Sequence, residues 1–92
     1  MKIIKVGAMW CPACIITNKF WKDIKNYYSN IEFTDLDLDM DEEEVKKLNI
    51  GKILPEIIFF DDNNNEIKRI IGEKKRIEIE KEIGDLLNEE NK

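Results

Sequence analysis

Apolar and polar positions change period along the chain, and each change marks an element. Lys2 to Gly7 is a short Ile/Val run closed by glycine, which predicts a β-strand. From Cys11 to about Ser29, Cys14, Ile16, Phe20, Ile24 and Tyr27 or Tyr28 recur near helical spacing with mostly charged residues between them. That spacing predicts an amphipathic helix, and Pro12 suits its first turn, where a missing N–H costs nothing. Ile31 to Leu38 alternates as a strand, although neither face is purely apolar. Asp39 to Leu48 reads as a short helix with Asp41 to Glu44 in its first turn and Val45 and Leu48 facing inward. Pro55 to Phe60 is an unbroken β-forming run, the mark of a strand covered on both faces. Asp61 to Asn65 is turn chemistry, and Glu66 to Ile71 returns as an antiparallel partner ended by Gly72. The last segment, Glu73 to Asn88, sets Ile79, Ile83, Leu86 and Leu87 on one helical face, and Glu89 to Lys92 should fray.

The resulting order is β-α-β-α-β-β-α without a linker, a repeat or a low-complexity tract, so residues 1–92 read as one domain. Right-handed crossovers predict that the first three strands are mutually parallel and the hairpin antiparallel.

Charge narrows the partners. Charged residues are 38 % of the chain and apolar ones 42 %, with a net charge of −5. Lysines and arginines are scattered instead of forming a stripe, which argues against nucleic acid and anionic membranes as partners. The start, Met1 to Val6, is too short and too interrupted by charge for a signal-peptide apolar region or a membrane span. A cytoplasmic location is expected, and there a lone close cysteine pair is catalytic more readily than structural.

Cys11 and Cys14 are the only two cysteines, and they follow the first strand at the start of the first helix. A sulfur at that point lies near unpaired backbone N–H groups and the positive end of the helix dipole, both of which stabilise a thiolate. The second cysteine lies one turn on and can resolve a mixed disulfide formed by the first. A protein-only zinc site is disfavoured, because two cysteines without a histidine fall short of four ligands. Met9-Trp10-Cys11-Pro12-Ala13-Cys14 also fits the Met-x-Cys-x-x-Cys segment of small Cu(I)-carrying domains, whose β-α-β-β-α-β order ends in a strand.

This element order, Trp10 ahead of Cys11, Leu54-Pro55 at the entrance to the third strand and Gly72 after the last strand together resemble the thioredoxin family. The similarity is to a short form without the extra N-terminal strand and helix, and it spans nearly the whole chain. It implies an α/β thioredoxin-like fold, a four-stranded mixed sheet flanked by three helices. It also implies a cofactor-free thiol-disulfide oxidoreductase in which Cys11 attacks and Cys14 resolves. Disulfide-containing proteins are then the substrates, and a reductase of the thioredoxin-reductase kind or another dithiol donor restores the dithiol. The protein is expected to be a monomer.

The same resemblance assigns a cis peptide bond to Leu54-Pro55, which the roughly 5 to 6 % frequency of cis X-Pro bonds would not license alone. It assigns substrate contact to Trp10, Pro12, Ala13, Leu54, Pro55 and Gly72. Pro12-Ala13 between the cysteines departs from the usual Gly-Pro, leaving the direction of electron flow open. The family's buried charge pair beneath the cysteines has its counterpart, with the residues exchanged, in Lys5 and Asp35. A Lys at an inward strand position calls for a partner, so the two are expected to pair, Lys5 lowering the Cys14 pKa and Asp35 relaying its proton; alternatively both reach solvent. Glutaredoxins carry Thr-Val-Pro and a Gly-Gly-x-Asp-like stretch where this chain has Ile53-Leu54-Pro55 and Ile71-Gly72-Glu73, which makes glutathione binding doubtful. Phe20 and Trp21 read as packing residues, Met9 as rim or core, and Glu56 as an exposed strand carboxylate beside Pro55.

Overall fold

The structure, a computed structural model, describes residues 1–90. Its elements are β1 (Lys2–Gly7), α1 (Pro12–Tyr27), β2 (Glu32–Asp37), α2 (Glu42–Lys46), β3 (Glu56–Phe60), β4 (Glu66–Ile71) and α3 (Arg76–Glu90). The strands form one mixed sheet in the order β2-β1-β3-β4.

Alternating side chains of β1 and β3 feed two cores. On one face Ile3, Ile57, Phe59 and Ile70 pack with Trp21 and Ile24 of α1 and with Ile79, Ile83 and Leu86 of α3. On the other, Ile4 and Val6 pack with Val45 of α2, Leu54 and both cysteines. The mixed pattern of β2 reflects its place at the sheet edge: Phe33 leans on the first core, and Leu36 and Leu38 on the second.

β2 runs parallel to β1, but β3 runs antiparallel to it, which corrects the expectation of three parallel strands. The reason is the size of the connection. The five residues of α2 advance the chain only about 7.5 Å, whereas a six-residue strand is about 20 Å long. No helix carries the chain back along the sheet, and β3 starts at the end where β2 stopped. This reversal sets Glu56 opposite Val6 and brings Leu54-Pro55 to the end of the sheet where α1 begins.

α2 is also shorter than its sequence pattern predicts. Asp37 accepts from the N–H groups of Asp39 and Met40, and the Asp41 carboxylate accepts from Asp37 N–H at 2.8 Å. These bonds fold residues 37–41 into a turn instead of a first helical turn. At the hairpin, Asp61 accepts from the N–H groups of Asn63 and Asn65, and Asn64 has φ 64°. α3 starts later than its pattern predicts and continues through Glu90, so the fraying expected from Glu89 finds helix at Glu89 and Glu90; residues 91–92 lie outside the described residues. Where a copper-carrying domain's final strand is expected, residues 76–90 form a helix.

Candidate active site

Cys11 is the N-cap of α1. Its backbone is extended (φ −92°, ψ 113°), its carbonyl accepts from Ile15 N–H, and Pro12 opens the helix behind it. Its Sγ accepts from the Cys14 backbone N–H at 3.2 Å, the place an N-cap hydroxyl or carboxylate oxygen normally holds. A sulfur so placed gains most from that N–H when it carries negative charge. The helix tip is less open than the sequence implied. Cys11 is 6 % exposed and Cys14 2 %, because the first sulfur folds back on its own helix and both pack with Ala8 and Leu54.

Cys14 lies deeper, against β1. A Cβ at Gly7 would stand 3.3 Å from Cys14 Sγ, so any larger residue there would crowd the thiol against the strand. Burial, then the hydrogen bond with Cys11, pushes the Cys14 thiol from 9.0 up to about 11, while the charge of Lys5 acts in the opposite direction. Two thiols in one turn are thereby differentiated: one sits at a helix N-terminus and the other holds its proton.

The opposite wall is Leu54-Pro55, whose peptide bond is cis. Cys11 Sγ–H points at the Leu54 carbonyl, 3.8 Å away. Pro55 O in turn accepts from Gly72 N–H at 2.9 Å, and Gly72 has φ +90°, a conformation an L side chain rarely adopts. Pro12 is exposed and Ala13 half-buried, whereas Pro55 is buried. Exposed apolar side chains flank both walls: Met9 (84 %) and Trp10 (62 %) precede Cys11, and Ile53 (62 %) precedes Leu54. Trp10 Nε1 donates to Asp39 at 2.8 Å, which ties the indole to the turn before α2. Trp21 is core and Phe20 packs beside it, as packing residues.

Behind Cys14, on the α1 side of the sheet, lies a cleft of about 400 Å³ lined by Lys5, Gly7, Asn18, Trp21, Lys25 and Asp35 among others. Lys5 and Asp35 are register partners on adjacent strands, yet they form no ion pair with each other among the described residues. This corrects the expected direct pair. Lys5 is buried, donates to Asn18 Oδ1 and lies over the Trp21 ring at 5.4 Å. Asp35 is exposed and accepts from Trp21 Nε1 at 2.9 Å and Lys25 Nζ at 2.6 Å. The helix supplies nearer partners to each group than they supply to one another. Burial lowers the Lys5 pKa, and the charges of Asp35 and Cys14 partly restore it. Asn18 and Lys25 escaped the sequence reading, although Cys14, Asn18, Trp21 and Lys25 fall at the spacing of one helical face.

Glu56 requires a second correction. It is 1 % exposed, not a surface carboxylate, because β3 is covered on both faces and Glu56 points to the α2 side. Its Oε2 accepts from Gly51 N–H at 2.8 Å and its Oε1 from Arg69 at 2.9 Å. Arg69 also binds Glu66 and donates to the Asn49 carbonyl at 3.4 Å. The Pro55 to Phe60 run held the signal: a residue inside a doubly covered strand is itself covered, and a covered charge needs a counterion.

Comparison with known proteins agrees with this geometry. A family model described as Thioredoxin matches residues 1–85. Thioredoxin 3 of Plasmodium falciparum is 36 % identical over 64 residues, covering 70 % of this chain; the chain spans 34 % of that relative's length. Thioredoxin 1 of Thermosipho africanus superposes with a TM-score of 0.79 at 24 % identity, over 100 % of both chains. Mitochondrial thioredoxin 3 of Saccharomyces cerevisiae superposes with a TM-score of 0.78 at 24 % identity, over 91 % of this chain and 76 % of the other. At those identities the superpositions speak for the fold, and the matched family model for descent: with two residues between Cys11 and Cys14, the chain belongs to the thioredoxin family of thiol-disulfide oxidoreductases.

Proposed function

We propose that this chain reduces disulfides of protein substrates in the cytoplasm, as a single-domain monomer recharged by a reductase or another dithiol donor. The observation that carries the reading is the position of Cys11 Sγ, which sits on the Cys14 N–H at 3.2 Å and faces the Leu54 carbonyl of the cis Leu54-Pro55 segment at 3.8 Å. A nucleophile and a backbone rail for an extended substrate thus face each other across one site.

The Cys11 thiolate attacks one sulfur of the substrate disulfide. A Cys11–substrate bond forms, the substrate S–S bond breaks, and the departing substrate thiolate takes up a proton. Cys14 then loses its proton and attacks Cys11 Sγ. The Cys11–Cys14 bond forms, and the second substrate thiolate leaves and is protonated. Two electrons pass to the substrate, and an external dithiol returns the protein to its reduced state.

Trp10, Pro12, Ala13, Leu54, Pro55 and Gly72 form the substrate contacts in this scheme. The exposure of Trp10 and the bond from Gly72 to Pro55 support that assignment. Lys5 favours the Cys14 thiolate by its charge, and Asp35 acts on Cys14 through Lys5. The test is a pair of variants in an insulin-reduction assay. Cys11→Ser abolishes turnover, and Cys14→Ser accumulates mixed disulfides visible by mass spectrometry; unimpaired turnover in both contradicts the scheme.

A further inference from the structure

Glu56 is a buried charge that the exchange chemistry does not use. It lies one residue past Pro55, with no solvent to satisfy it, and both of its oxygens are engaged. What they engage is informative. Gly51 N–H belongs to the loop that leads into Leu54-Pro55, and Arg69 carries a further bond to Asn49 O at the start of that loop. Asn49 has φ 54°, a conformation that asparagine tolerates and that redirects the chain there. One carboxylate and one guanidinium therefore pin residues 49 and 51 to β3 and β4, on either side of a short stretch ending at Leu54.

Those strands belong to the hydrogen-bonded sheet, while most of the pinned loop faces solvent: Asn49, Gly51, Lys52 and Ile53 are exposed, and Ile50 is half-buried against the α2-side core. Apart from the two polar anchors, the loop is held by apolar contact alone: Ile50 leans on the α2-side core and Ile53 lies beside Gly72. The position of the Leu54 carbonyl and N–H, which an extended substrate backbone must meet, then depends on the pair.

We propose that Glu56, with Arg69 as its counterion, is a positioning residue for protein substrates: it fixes the loop that holds the Leu54 backbone opposite Cys11, and it touches neither the substrate nor the sulfurs. The inference rests on the substrate-rail reading of Leu54-Pro55 given above. It separates two kinds of disulfide. A peptide chain laid along Leu54 uses the loop, whereas a small aromatic disulfide needs only the Cys11 sulfur.

The test is Glu56→Gln, which keeps the shape but removes the charge and turns one acceptor into a donor facing Arg69. Insulin reduction and the reduction of a small aromatic disulfide are both measured with dithiothreitol as donor. The expected result is a KM for insulin raised about tenfold, with kcat and the small-disulfide rate within about twofold of the parent. A general loss of structure would depress both substrates together. Equal loss on the two, or parental KM on insulin, overturns the proposal. Should Glu56→Gln not fold, the double variant Glu56→Leu, Arg69→Leu removes both charges and both anchors, and the same split between substrates is required of it. A parent protein that reduces neither disulfide refutes the exchange reading itself, which is a different outcome from an exchange-competent parent whose variants show no split.

Discussion

At the cysteine end of the sheet, the face toward α1 and the face toward α2 each bury one charge, and they treat it differently. Lys5, on the α1 face, borders an open cleft, donates to a neutral amide and lies over an indole; burial lowers its pKa. Glu56, on the α2 face, is sealed, ion-paired and bound to a backbone N–H. A sealed, fully matched charge holds geometry, because any loss of a partner leaves a bare ion in the interior. A charge beside water with a softened hold on its proton can respond to its neighbour, and here the neighbour is Cys14.

The contrast breaks first on stability. Arg69→Leu alone leaves the Glu56 carboxylate in the interior without its counterion and should cost about 3 to 5 kcal/mol in urea unfolding, whereas the double variant with Glu56→Leu should return close to the parent. A single variant as stable as the double would show that the α2 face does not depend on the pair. The next effect lies in titration. In the folded dithiol Cys14 keeps its proton up to about 11, above its ordinary 9.0, while the unfolded chain releases it earlier. Stability must therefore fall as pH rises through that window, and this part of the loss should vanish in Cys14→Ser. Lys5→Met should move the Cys14 pKa higher still and slow the release of mixed disulfides at fixed pH about three- to tenfold, read by quenched mass spectrometry. An unchanged rate would place Lys5 outside the chemistry. Smallest is Asp35→Asn, since Asp35 is exposed and paired with Lys25. Less than about 1 kcal/mol of stability is expected, with a displacement of the Cys14 pH profile smaller than that from Lys5→Met. No displacement removes Asp35 from any relay; a larger one makes it the primary group.

The same contrast marks what could be read from the chain. Element order was legible because Ile57 to Phe60 and the spacing of Ile79, Ile83 and Leu86 are strong periodic signals. The cysteine pair was legible because its two residues lie within one short segment. Strand direction was not, since the crossover rule gives the hand of a parallel connection and does not decide whether β2 to β3 is one. Partner choice failed for a related reason. Register correctly sets Lys5 beside Asp35, but α1 crosses over that pair and offers Asn18 to one and Lys25 to the other. Glu56 was misjudged by residue type alone, against the burial that its own strand already implied.

The antiparallel return of β3 has a consequence for damaged molecules. Cys11 and Cys14 belong to one turn of helix and survive as neighbours in any copy that retains α1, but Leu54 comes from 43 residues further along and is assembled only by the whole sheet. A heat-damaged or nicked copy therefore keeps its cysteine pair but loses the Leu54 wall that faces it, leaving two thiols without the surface that surrounds them in the intact fold.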